Sequence, residues 1–281
     1  MTTVLQPALT AARTAFDQPL STAERLSAVT HLLSSVEYMV RPEDRRPGGL
    51  NGWEHTREQV RSKTRLGQAV RDLVAREPVT QALHASRVVA AGVLVAPRRS
   101  NRSRLLANAW LVGTQLVLYP RHLFGTDGSD QVSFLVQSAA TLGRAGGSDA
   151  TRWAAVQFIG AQTVLSYGAS GWAKLPGDAW RSGEALRGIM RTQTYGDRWL
   201  FEQLDRHPAA ARLLCHSVLA MECGFPLLLL GRGRFIEAGL ATMGLFHLAN
   251  ARFMGLSRFA WAFLATYPAA RALARRTGAS A

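Results

Sequence analysis

The sequence predicts an all-α fold, a polytopic bundle of membrane helices with an N-terminal amphipathic helical extension. Three observations predict it. Apolar segments of helical length recur after Ala82, whereas residues 1–80 are polar and charged. The loops between those segments are rich in arginine, as cytoplasmic loops of membrane proteins are. One segment, Trp153–Ala173, ends in a polar stripe: Thr163, Tyr167, Ser170 and Lys174 follow each other at steps of three and four and so share a helix face.

Composition narrows the function classes. The chain has 281 residues, enough for one large domain or two small ones. Its 47% hydrophobic content averages over two unlike parts. The expected division is a peripheral helical region at 1–80 and a transmembrane helical domain at 81–277. The net charge of +14 rests on 33 Lys+Arg, of which only Lys63 and Lys174 are lysine. The arginines lie beside apolar segments and no nucleic-acid module is recognisable. Anionic lipid headgroups are therefore the expected partner, and nucleic acid is not. Cys215 and Cys223 stand eight apart on one predicted helix, ~12 Å at ~1.5 Å per residue. A disulfide needs Cα atoms within ~7 Å, so both are expected to be free thiols. No Cys/His cluster suggests a metal, and no charged-then-apolar leader opens the chain.

In chain order, residues 1–40 read as amphipathic helix, with Leu5, Leu9, Leu26, Val29, Leu32, Leu33 and Val36 apolar. Ser21 followed by Glu24 has the form of a capping box. Residues 41–52 read as a loop from their Pro, Gly and Asn content. Residues 54–77 read as a second amphipathic helix, either packed on the domain or lying on an anionic membrane surface. The apolar segments then run Ala82–Ala96, Leu105–Phe124, Val132–Leu142, Trp153–Ala173, Ala211–Leu230, Phe235–Leu256 and Phe259–Leu273. About 20 residues are needed to span, so Ala82–Ala96 and Val132–Leu142 are short and are open to a tilted, buried or re-entrant placement. Arg98, Arg99, Arg102 and Arg104 in one loop, Arg144 and Arg152 in another, Arg232 and Arg234 in a third, and Arg271, Arg275 and Arg276 at the end all fall on one side if the spans alternate. That makes a multi-pass protein of the cell membrane with this side cytoplasmic. Gly160, Gly168, Ser170 and Gly171 leave room for another helix to come close.

Four groups of residues can carry chemistry. Lys174, at a helix end, is either a snorkelling anchor or a base, and an apolar site favours the neutral amine a base requires. His247 and Asn250 share a face with Met243 and Met254; the alternatives are a hydrogen-bonded core histidine and a ligand-binding pair. Glu222 lies in an otherwise apolar helix, protonated, paired with Arg87 or Arg252, or joining helices. Asp127 and Asp130 in Gly-Thr-Asp-Gly-Ser-Asp either bind a cation or cap the helix that follows.

Three motifs carry a resemblance: Ser-Gly-Trp-Ala-Lys-Leu at 170–175 followed by Asp-Ala-Trp at 178–180; Phe-His-Leu-Ala-Asn-Ala-Arg-Phe-Met-Gly at 246–255; and Glu-Cys-Gly-Phe-Pro at 222–226. In type and order they resemble the vitamin K-dependent γ-carboxylase superfamily and its bacterial horizontally transferred transmembrane domain members, over roughly residues 82–275. The resemblance implies an enzyme that uses a reduced naphthoquinone, vitamin K hydroquinone or menaquinol, with O2 and CO2, to modify a peptide or small substrate. It implies Lys174 as the catalytic base and His247 as a catalytic hydrogen-bond donor. Tyr167, Trp172, Asn250 and Met254 would lie at the quinone. Glu222, Asp127 and Asp130 would be auxiliary, with no metal. The chain departs from the animal enzymes in having one lysine at the motif and no large extracytoplasmic domain. A second reading is a non-carboxylating membrane protein in maturation or export of a secreted bacterial peptide, and a third is a quinone- or lipid-binding membrane subunit.

Overall fold

A computed structural model describes residues 19–97, 99–230 and 233–277. Among these, all regular structure is helical and no strand occurs. The expected all-α class is therefore observed. The expected helix around Leu5 and Leu9 lies outside the described residues. Two compact units divide after Ala155 rather than near residue 80.

The first unit contains α1 (Pro19–Val40), α2 (Trp53–Gln59), α3 (Arg65–Val74), α4 (Glu77–Val95), α5 (Asn101–Leu118), a 3-10 turn at Tyr119–Gly125, α6 (Gly128–Ala145) and the start of α7 (Asp149–Lys174). Helix α1 packs on α4 and α6, and α5 packs on the same two. The N-terminal helix is thus part of the bundle and not a peripheral extension. Small residues make the close packing possible: Ala28, Ala90, Ala91 and Ala107 meet Leu94 and Leu111 in the core.

Polar contacts fix the rest of this unit. Ser21 and Glu24 lie inside α1 and form no capping box. Glu24 is instead fully buried and accepts hydrogen bonds from Arg104 on α5, from Arg144 Nε on α6 at 2.7 Å and from Asn108 on α5 at 2.8 Å. Ser21 Oγ accepts from Arg144. Two of the arginines expected to mark a cytoplasmic loop are therefore buried as partners of one carboxylate. The expected helix over 54–77 is broken at residues 60–64, where Thr64 caps α3 by accepting from the Gly67 N–H. Asp72 on α3 joins the pieces, accepting from Arg57 and from the Trp53 indole on α2. The Arg57 hydrogen bonds hold its carboxyl well below the usual carboxylate range.

The second unit contains the remainder of α7, then α8 (Asp178–Ser182), α9 (Glu184–Met190), α10 (Arg198–Arg206), α11 (Pro208–Gly224) with a 3-10 turn at Phe225–Leu229, α12 (Ile236–Met254), α13 (Ser257–Leu264) and α14 (Tyr267–Thr277). The expected single segment Phe259–Leu273 is two helices broken at Ala265 and Thr266. The break is legible afterwards in Thr-Tyr-Pro at 266–268, since proline favours the first turn of a helix. The small residues of α7 do admit neighbours. A Cβ on Gly160 would meet the Ala269 carbonyl of α14 at 2.9 Å, and one on Gly171 would meet the Cys223 nitrogen of α11 at 2.6 Å. Cys215 and Cys223, both on α11, are free.

One stretch among the described residues, Pro208–Leu229, is long and apolar enough to cross a membrane. Helices α1, α4, α5, α6, α7 and α12 have at least 18 residues, enough for length, but are too polar to qualify, so the expected spans other than that on α11, Trp153–Ala173 included, do not meet this test.

Candidate functional site

The polar stripe of α7 lies in the second unit and organises two clusters there. In the first, Lys174 Nζ donates to Ser170 Oγ at 2.5 Å and to Glu222 Oε2 of α11 at 2.6 Å. Ser170 also donates to Glu222 Oε1 at 3.4 Å. The Glu222 side chain is only 5% exposed, while that of Lys174 is 25% exposed. The amine is 5.5 Å from the centre of the Trp180 ring, within range of a cation–π attraction. Gly171 permits this arrangement, because it brings α11 close enough for a lysine to reach across. Glu222 therefore pairs with Lys174. The pair joins α7 to α11, one of the expected roles, while the expected partners are engaged elsewhere: Arg87 bonds to His31, Ser35 and Thr114, and Arg252 lies 3.9 Å from Asp197.

In the second cluster the Tyr167 hydroxyl lies 2.7 Å from His247 Nε2 of α12 and 3.0 Å from the Tyr267 hydroxyl of α14. Aromatic rings enclose it. Phe225 is 4.4 Å from Tyr167 between ring centres, and Phe263 stacks on His247 at 4.6 Å. His247 Nδ1 is buried and has no hydrogen-bond partner. Thr163, the first member of the stripe, bonds back to the Ile159 carbonyl of its own helix.

Tyr167, His247, Lys174 and Glu222 are thus gathered on or against one face of α7, with His247 bonded to Tyr167 and the lysine to Glu222. The other expected residues lie elsewhere. Trp172 is 56% exposed and points off the stripe, as its step of two from Ser170 requires. Asn250 is half-buried, and its carbonyl closes the end of α12 by accepting from Gly255 and Leu256. Met254 packs on the cluster of Met190, Leu204 and Ala211. Asp127 and Asp130 belong to the first unit and form the capping box of α6, the structural alternative of the two expected. Among the described residues no group of three metal-ligating side chains occurs. Tyr267 and Phe263 were not expected, because a segment read as one helix hides which of its residues turn inward.

A reduced quinone fits the second cluster chemically. Two tyrosine hydroxyls and a partnerless imidazole nitrogen can bond to ring oxygens, and Phe225 and Phe263 offer aromatic faces. An apolar cavity of about 210 Å3, lined by Met221, Leu228, Thr242 and Met243, reaches this cluster at Phe225 alone. Comparison with family models, with curated proteins and with solved structures finds no match for this chain.

Proposed function

We propose that this chain is a multi-pass membrane protein that transfers protons at a reduced quinone, in the way its resemblance to the vitamin K-dependent γ-carboxylases implies. The observation that carries the reading is the amine–carboxylate pair of Lys174 and Glu222 on the same helix face as the Tyr167–His247–Tyr267 cluster.

The membrane reading is supported by inverted polarity in each unit. In the first, Glu24, His31, Arg87 and Asn108 are buried while Leu106, Leu116 and Leu142 are at least 60% exposed. In the second, Glu222 and His247 are buried while Leu213, Leu245 and Phe235 are exposed. Lipid around such helices satisfies the outer apolar surface, and internal pairing satisfies the polar one. Expressing cells that are fractionated and washed with carbonate should retain the chain in the membrane pellet. Recovery in the carbonate supernatant would remove the membrane reading and the quinone site together.

When bound, the quinol supplies the reducing equivalents with which oxygen is activated. The protein's own residues handle the protons and the positioning. Lysine accepts a proton only as the neutral amine. Transfer of the Lys174 proton to Glu222, across their 2.6 Å contact, leaves that neutral amine held beside Ser170. That amine would be the group able to accept a proton from a bound quinol. Tyr267 and Tyr167 would hold the headgroup, with the Tyr167 hydroxyl fixed by His247. The substrate class is a peptide or a small molecule, with CO2 as co-substrate in the carboxylating case. Mass spectrometry of lipids extracted from the purified protein should find a naphthoquinone, depleted in the His247→Ala variant. No naphthoquinone above the level in membranes lacking the protein is the result that sinks this site.

Binding without turnover is the second reading. The ion pair itself favours it, since the same contact ties α7 to α11 whether or not a proton moves.

A further inference from the structure

The first unit holds a second buried polar cluster that the quinone reading does not use. His84 on α4 and His122 in the turn after α5 are 2% and 3% exposed, and their Nε2 atoms are 2.9 Å apart. They line a cavity of about 30 Å3 together with Arg87, Gln115 and Asp130. Both rings are buried out of water, which disfavours the charged imidazole, and the neighbouring arginines add to this, so both are neutral. A neutral imidazole carries one N–H. The ring that donates through Nε2 therefore has a bare Nδ1, and the ring that accepts carries its proton on Nδ1. Whichever ring donates, one Nδ1 is an acceptor and the other a donor. Both are buried with no partner.

Arg87 needs nothing more, because Ser35, Thr114, Gln115, His31 and the Leu111 carbonyl accept its hydrogen bonds. The Asp130 carboxylate on the same wall repels an anion. What the histidine pair lacks is one donor and one acceptor, uncharged. The cavity holds about two water-sized groups. It shares Gln115, Tyr119, Thr126 and Asp130 with a second cavity of about 430 Å3, whose remaining walls include Leu116, Phe134 and Leu135. Leu116 and Tyr119 are more than half exposed, which gives that cavity a mouth.

We propose that the first unit binds an amphiphile with an uncharged, hydroxyl-bearing headgroup, its headgroup at His84 and His122 and its apolar chain along Leu116, Phe134 and Leu135. A monoacylglycerol has this chemistry: hydroxyls that both donate and accept, on one acyl chain.

The test uses the full chain in detergent micelles and a monoacylglycerol with a photoreactive diazirine in its acyl chain. Peptide mapping should place the label on α5 and α6 near Leu116, Phe134 and Leu135, and unlabelled monoacylglycerol should compete. His122→Phe keeps a ring on Tyr38, now 3.8 Å away between centres, but removes the nitrogens. It should weaken binding about tenfold, the loss that follows from one buried hydrogen bond. Leu135→Trp fills the apolar cavity and should abolish the label with the helical circular dichroism unchanged. Label confined to other helices overturns the proposal. So does equal competition by dodecane or by dodecanoate, which shows that no uncharged headgroup is selected. Stoichiometric zinc in the purified protein, lost in His122→Phe, overturns it too, because the histidine pair is then a metal site.

Discussion

Lys174→Arg should abolish turnover of added menaquinol while leaving the fold and quinone binding intact. The change separates the two roles the ion pair can have. Arginine keeps a positive charge and hydrogen-bond donors toward Glu222, so a lysine that only ties α7 to α11 is replaced with little loss. Arginine cannot give up its proton at neutral pH, so a lysine that acts as a base is not replaced. Loss of a general base costs roughly 10²–10⁴-fold in rate. Lys174→Ala should lose as much activity but also some stability, because it leaves the buried Glu222 carboxylate with only Ser170 as a partner. The measurement is menaquinol conversion followed by liquid chromatography and mass spectrometry, with bound quinone counted in the same samples. Near-normal conversion in Lys174→Arg would show that Lys174 is not the base and only ties the helices, whereas bound quinone with no conversion by the parent protein would make binding without turnover the better reading. Glu222→Gln completes the set. It keeps a hydrogen-bond acceptor for the amine but cannot take its proton, and so should also be slow.

How much of this was legible in the sequence depends on whether the information was local. The stripe from Thr163 to Lys174 follows from helical periodicity alone, and all four residues lie on α7 as spaced. The glycines beside it marked a close approach, and Gly171 and Gly160 both provide one. Helix capping by Asp127 was legible for the same reason, since donor and acceptor are a few residues apart. Partners distant in sequence were not legible. Glu222 finds Lys174, 48 residues away, and nothing in either segment selects that lysine over Arg87 or Arg252. The apolar pattern also misled where polar residues were inside. Arg104 and Arg144 sit at segment ends like loop arginines, and only the packing of three helices reveals that they turn inward to Glu24. Composition placed the domain boundary at the change from charged to apolar sequence. The fold places it elsewhere because α1, although polar, is polar on its buried side: Glu24, Ser27, Thr30, His31, Ser34 and Ser35 all lie within.

That inward polarity sets the largest expected effect on stability. Glu24→Ala should lower the unfolding temperature by roughly 6–20 °C. The carboxylate is fully buried, and the two arginines it holds have side chains 4% and 7% exposed. Removing one partner of a buried charged group costs about 3–5 kcal/mol, because the remaining charges keep their desolvation penalty and lose what offset it. For a unit of this size each kcal/mol is worth about 2–4 °C. Asn108 loses its acceptor as well, and α1, α5 and α6 lose their common tie. Arg144→Met should cost less than Glu24→Ala, since Glu24 keeps Arg104 and Asn108 and the methionine fills part of the vacated space. The double change Glu24→Leu with Arg144→Met still strands Arg104, so it should remain well below the parent protein. Thermal unfolding of the detergent-solubilised chain, followed by circular dichroism, orders the variants. If Glu24→Ala unfolds within 2 °C of the parent, a difference smaller than about 1 kcal/mol by the same scale, the carboxylate is not the tie between these helices.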